Sequence, residues 1–182
     1  MGQIVIPLAD GCEETEAITN IDVLRRAGLD VVTVSLGSLT VHGDHEIDVQ
    51  ADKNISDLDL EQVEGIVLPG GMPGAKNLKE DKRVVELVQK LDQENGLIAA
   101  ICAGPIVLAE AGVIDDRPVT SYPGFEDELS AGRYQQPRVV VDDNLVTGRG
   151  PGVALEFAIK IVDLVVGSER AEELKAAMLT NF

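Results

Sequence analysis

Five consecutive apolar residues, Leu97-Ile98-Ala99-Ala100-Ile101, run without a break into Cys102-Ala103-Gly104-Pro105. A run this short with no polar member suits a strand buried on both faces, which arises where helices cover both sides of a parallel sheet. The residues after this run narrow the choice further. Ala103 and Gly104 are small enough for a sharp turn, and Pro105 is pre-shaped for a first helical turn, where its missing N–H costs nothing. The segment therefore predicts strand, turn and helix in immediate succession, with a cysteine on the turn.

The rest of the chain repeats this alternation. Residues 3–8 predict an interior strand, a glycine-containing turn comes next at Asp10 to Cys12, and Ala17, Ile21 and Leu24 carry helical spacing over about Glu14 to Ala27. Gly28 stands where helices commonly stop. Strands are expected over Asp30 to Leu36 and Glu64 to Pro69, with a small hairpin between them built from Leu39 to His42 and Ile47 to Ala51. Val84, Leu87, Val88 and Leu91 stripe a helix ending near Gly96. Beyond Cys102 the pattern predicts a short helix to Gly112, a strand near Val119, and a hairpin from Arg138 to Asp142 and Asn144 to Thr147. A long helix then presents Ala154, Phe157, Ala158, Ile161, Val162 and Val165 on one face, and Ser168 is the expected N-cap of a closing helix. Without repeats or linkers, the 182 residues read as one α/β domain, a doubly wound, mainly parallel sheet sandwiched by helices. The absence of Trp fits a core of Val, Ile, Leu and Ala.

A formal charge of −17, spread along the chain without a Lys/Arg cluster, excludes nucleic-acid binding through a basic face and disfavours anionic membranes. No apolar stretch approaches the ~20 residues that span a bilayer, and no basic segment precedes a hydrophobic one at the amino terminus. The expectation is a cytoplasmic protein. Its two cysteines, Cys12 and Cys102, lie far apart in sequence and form no metal motif, and a cytosolic compartment disfavours a structural disulfide.

Chemistry concentrates where strands end. In open α/β sheets ligands bind outside the carboxyl ends of the strands, and a nucleophile on a tight turn there projects into the crevice. Helix-start amides and the helix dipole favour the thiolate of Cys102; the alternative is an inert core cysteine. The turn Pro69-Gly70-Gly71-Met72-Pro73-Gly74 either aims amides into the same crevice or is simply a tight connection. Glu13, Glu14 and Glu16 open the first helix, so a carboxyl group there either reaches the thiol or only complements the dipole. Cys12, on the turn before Glu16, is a resolving thiol or a small packed residue. Arg149 either binds an anion or pins loops through carboxylates. His42 and His45 are expected at the surface, and no metal site is predicted.

Asp10-Gly11-Cys12-Glu13-Glu14-Thr15-Glu16, Leu68-Pro69-Gly70-Gly71, Ala99-Ala100-Ile101-Cys102-Ala103-Gly104-Pro105 and Gly148-Arg149-Gly150-Pro151-Gly152 together resemble the ThiJ/PfpI superfamily, almost end to end. Ile21-Asp22-Val23-Leu24-Arg25-Arg26-Ala27-Gly28 is similar to the branch of the Parkinson-disease-associated stress protein, which has glyoxalase III-like and deglycase-like members. The resemblance implies a flavodoxin-like, class I glutamine amidotransferase-like fold, a homodimer and no cofactor. It implies Cys102 as nucleophile or oxidation-sensitive thiol, Glu16 as its carboxyl partner, and the Gly71 and Ala103 amides as the cradle for an oxyanion or oxidised sulfur. Glu13, Tyr122 and Arg149 are the further pocket candidates. Family proteases carry a histidine directly after the cysteine, whereas Ala103 stands here, so peptidase activity is not expected. Tyr122 occupies the place of a histidine that approaches the thiol in the nearer branch; tyrosine can donate to an oxyanion but is a poor base near neutrality. The expected chemistry is attack of Cys102 on a small reactive carbonyl, with oxidation of Cys102 to a sulfinate by an oxidant as the alternative.

Overall fold

A computed structural model describes residues 2–182. The chain runs β1 (Gln3–Leu8), α1 (Glu14–Arg26), β2 (Val31–Ser35), β3 (Thr40–His42), β4 (Asp48–Gln50), β5 (Lys53–Asn54), β6 (Val63–Leu68), α2 (Gly74–Glu80), α3 (Lys82–Gln93) and β7 (Leu97–Ile101). It continues through α4 (Pro105–Glu110), β8 (Pro118–Val119), β9 (Arg133–Tyr134), β10 (Val139–Asp142), β11 (Leu145–Gly148), α5 (Ala154–Val165) and α6 (Ser168–Ala177).

Seven strands form the main sheet in the order β10-β11-β7-β6-β1-β2-β5. Every neighbouring pair is parallel except the β10–β11 hairpin. The five apolar residues of β7 show why the sheet needs two covers. Leu97, Ala99 and Ile101 enter one core layer, while Ile98 and Ala100 enter the other. The first layer is closed by Ala17, Val23 and Leu24 of α1, by Phe157, Ile161 and Val162 of α5, and by Ala171 and Leu174 of α6. The second is closed by Leu78 of α2, Leu87 and Leu91 of α3, and Ile106 and Leu108 of α4. Sequential strands run outwards from β1 to β2 and β5, then return to β6 on its other side. The order thus reverses between β1 and β6, and the crevice at their carboxyl ends is where such sheets bind ligands.

Several details differ from the sequence reading. The stripe from Val84 to Leu91 is α3 as expected, but a separate short helix, α2, precedes it, because Asp81 leaves helical geometry and caps α3 by accepting from the Arg83 amide at 2.9 Å. The strand near Val119 does not join the main sheet; it pairs in parallel with β9. Ser168 is the first residue of α6, preceded by Gly167, and its hydroxyl donates to Asp163 at 2.6 Å instead of capping its own helix. Helix α1 stops one residue early, with Gly28 at φ +90° beyond its end and the Leu29 amide returning to the Leu24 carbonyl at 3.2 Å. None of the helices described is long and apolar enough to cross a membrane.

Candidate active site

Three turns converge at the crevice, each leaving the carboxyl end of a strand: 9–13 after β1, 69–73 after β6, and 102–104 after β7. Cys102 carries φ +63°, a left-handed conformation that costs a side-chain-bearing residue about 1–3 kcal/mol. Two hydrogen bonds hold it there. Its amide donates to Gly148 O on β11 at 2.9 Å, and its carbonyl accepts from the Tyr122 amide at 3.0 Å. The thiol is half-buried, and the amides of Ala103 and Gly71 hydrogen-bond its sulfur.

Glu16 reaches the same point from α1. Its side chain is fully buried, and Oε2 accepts from the Gly70 amide at 2.8 Å. Oε1 is also buried and has no directional partner, while the carboxyl group interacts with the Cys102 thiol. A proton on Glu16 therefore belongs on Oε1, the oxygen that Gly70 leaves free. Burial, helped by the charge of Glu13, pushes Glu16 up to about 7 against the pull of the Gly70 hydrogen bond. Burial first and the Glu16 carboxylate second push Cys102 up to about 12, against the two amides. The amides at the turn do pull the thiol down as expected, but burial and the Glu16 carboxylate outweigh them. Once Glu16 is protonated, its repulsion is gone and it becomes a donor to sulfur, so the two groups titrate as a unit.

Gly70 is the functional position that the sequence reading passed over. A Cβ there would lie 2.6 Å from Cys102 Cβ, 2.8 Å from Glu16 Oε2 and 2.9 Å from the Ala103 nitrogen. Glycine supplies both the amide that orients Glu16 and the space in which the carboxyl and thiol meet. The signal available was the doublet itself. Only Gly71, at φ +84°, requires glycine for its backbone, and Gly70 has no such need.

The remaining candidates take other places. Glu13 is the N-cap of α1: its Oε2 accepts from the Glu16 amide at 2.7 Å, and its own amide donates to Gly70 O at 3.0 Å. Glu14 is buried but turned to the β3–β4 hairpin, accepting from the His45 amide at 2.7 Å and from its ring Nδ1 at 2.9 Å. Side-chain ligand atoms of Glu13, Glu14 and His45 come within 4.8 Å of one another, yet these hydrogen bonds already engage both carboxylates. His42 pairs with Asp48 at 2.6 Å, so neither histidine reaches the thiol pair. The Tyr122 ring stacks beside Gly150, where a Cβ would lie 3.0 Å from its Cδ2. Arg149 does pin a loop, but through the Gln136 carbonyl at 3.2 Å and not through a carboxylate. Cys12 is fully buried, and burial raises its thiol to about 11, which suits a packed residue better than a resolving thiol.

The model of the DJ-1/PfpI family matches residues 2–164. Parkinson disease protein 7 homolog from Danio rerio is 38% identical over 180 residues, covering 96% of this chain and 95% of that protein. Glutathione-independent glyoxalase DJR-1.2 from Caenorhabditis elegans is 36% identical over 173 residues, covering 94% of this chain and 91% of that protein. Among solved structures, an oxidized DJ-1 from Toxoplasma gondii superposes with a TM-score of 0.95 at 35% identity, each chain covered completely.

Proposed function

This chain belongs to the DJ-1/PfpI family and has its flavodoxin-like fold, and from that premise we propose that it is a cysteine-dependent stress-response enzyme acting on small reactive carbonyls. The observation that carries the reading is the pairing of a left-handed Cys102 with a buried, proton-holding Glu16 under two amides. With an α-oxoaldehyde such as methylglyoxal, the thiolate adds to the aldehyde carbon and the carbonyl oxygen takes the negative charge. The amides of Gly71 and Ala103 stabilise that oxyanion, and Glu16 supplies its proton to give the hemithioacetal. Glu16, now a carboxylate, removes the aldehydic hydrogen as a proton to give an enediol and returns it to the neighbouring carbon, while the hydroxyl proton passes from the first oxygen to the second, leaving a lactoyl thioester that water cleaves to lactate and free thiol. Tyr122 lies at the rim and takes no proton in this scheme. The similarity to a glutathione-independent glyoxalase supports the reading.

Lactate formation from methylglyoxal by highly purified protein tests it. Cys102→Ser is expected to abolish turnover, and Glu16→Gln to reduce it by about 10²–10⁴-fold, the usual scale for losing a positioned acid–base group. Lactate no higher than the Cys102→Ser background would overturn the reading.

A second reading, oxidation of Cys102 as a sensor, is favoured by the free Oε1 of Glu16. A proton there donates to a sulfinate oxygen more strongly than to a thiol, and so halts oxidation short of the sulfonate. Mild peroxide is expected to add two oxygens by intact mass, and none in Cys102→Ser; a three-oxygen product in wild type would count against the arrest.

We further assign a homodimer. The support is an open depression beside α1 and the β3–β4 hairpin, flanked by Ile18 and Ile47, which are 47% and 56% exposed. Light scattering should give twice the chain mass, with Ile18→Glu and Ile47→Glu shifting it to one; monomeric wild type contradicts the assignment.

A further inference from the structure

We propose that Glu13 makes the Cys102 site selective by charge, admitting uncharged carbonyls and oxidants and turning away those that carry a carboxylate or another anionic group. The proposal rests on Cys102 as the reacting group but does not require turnover. Glu13 belongs to the turn that holds the sulfur: its amide is bonded to Gly70 O, the residue before the Gly71 amide on the thiol. Glu13 as a residue is only 9% exposed, and its carboxylate is tied to the Glu16 amide at 2.7 Å, which holds the charge in place when a ligand arrives.

A fixed, mostly buried charge is screened less than a mobile surface one. Its field reaches the neighbouring groups: Glu13 raises Glu16, and Glu14, Asp10 and Glu13 all raise Cys12. Two basic side chains are already bound, one to a backbone carbonyl and the other to a carboxylate. Arg149 donates to the Gln136 carbonyl, and His45 is bound to Glu14. An incoming carboxylate therefore meets the fixed charge of Glu13, whereas an α-oxoaldehyde or hydrogen peroxide is indifferent to the field. Glyoxylate and methylglyoxal, which present the same aldehyde, should differ for this reason.

Alkylation of Cys102 separates charge from chemistry. Iodoacetamide is neutral and iodoacetate anionic, and both attack the same thiolate, so the ratio of their rates cancels the thiolate fraction. Rates at Cys102 would be read by peptide mass mapping, with 2-mercaptoethanol as the reference thiol. Relative to that reference, wild type is expected to prefer iodoacetamide by about tenfold at low salt, the scale of one unit charge at short range in a partly screened site. The excess should fall towards the reference in about 0.5 M salt. It should shrink severalfold in Glu13→Gln, whose amide oxygen can still accept from the Glu16 amide. Glu61→Gln, an exposed acid just before the amino end of β6, should leave it unchanged. A wild-type ratio equal to the reference, or an equal effect of Glu61→Gln, overturns the proposal. If Glu13→Gln does not fold, Glu13→Asn, a neutral residue that serves well as an N-cap, takes its place, and an excess unchanged in the neutral variant overturns the proposal. Absence of lactate would end the enzymatic reading without touching this ratio, while a flat ratio with active enzyme would end only the charge filter.

Discussion

Gly70→Ala is expected to slow every reaction of Cys102 by about a hundredfold while the protein stays folded. The added methyl would stand 2.6 Å from Cys102 Cβ, 2.8 Å from Glu16 Oε2 and 2.9 Å from the Ala103 nitrogen, all closer than van der Waals contact allows. Three components of the site must therefore shift together. A displacement of about 1 Å at a reacting group typically costs about 10²-fold in rate. Gly70 does not have a left-handed φ, so alanine can adopt its backbone and the effect is spatial, with an overpacking cost of about 1–3 kcal/mol. The measurement is the iodoacetamide rate at Cys102 beside the far-ultraviolet circular dichroism spectrum and thermal midpoint. An alanine variant that reacts like wild type would mean the thiol and carboxyl do not share the space that Gly70 leaves.

That dependence explains which parts of the fold and site could be read from residues alone. β7 is read to its boundaries because an all-apolar run between Gly96 and Cys102 admits only a two-sided burial. The long face from Ala154 to Val165 is legible for the same reason, since its spacing and its burial report one fact. Where an element is held by contacts distant in sequence, periodicity is silent. β5 is two polar residues that pair only because the edge of β2 is open to them, and β8 finds β9 across a long loop. Asp81 separates α2 from α3 by capping the second helix, a role that its apolar stripe does not reveal.

In the site, Cys102 announces itself by position, but its partner does not. Of three glutamates in the first turns, 13, 14 and 16, each is at least nine-tenths buried, and burial alone does not choose among them. What separates them is the loop each faces: the helix's own amide for Glu13, the hairpin for Glu14, and the Gly70 amide with the thiol for Glu16. The resemblance of motifs picked the third, and the packing supplies the reason. The sequence shows the amides at the turn that lower the thiol, while the larger cost of burying its charge beside a carboxylate is visible only in three dimensions.

Glu16 also dominates the stability change expected between pH 5 and pH 8. Its ordinary value of 4.5 is raised to about 7 by burial, so between those two pH values the folded state holds a proton that the unfolded chain has released. Stability is then fully present below the unfolded value and falls as pH rises through the folded one. At about 1.4 kcal/mol per unit, the loss amounts to roughly 3 kcal/mol by pH 8. His42 and His45, raised by their carboxylate partners, lose stability in the same direction, and Glu14, Asp52, Asp81 and Asp163, all lowered, act in the opposite sense at lower pH. The difference between wild type and Glu16→Gln cancels these other groups. From urea unfolding at pH 5 and pH 8, the variant should gain about 2–3 kcal/mol on wild type as pH rises, although it is the less active protein. A difference that stays flat over this range would mean that Glu16 ionises as freely inside as outside, and a carboxyl group of that kind would hold no proton to give to sulfur or oxyanion. The stability lost to Glu16 between about pH 4.5 and 7 and its ability to donate a proton are the same property, measured once in unfolding and once in chemistry.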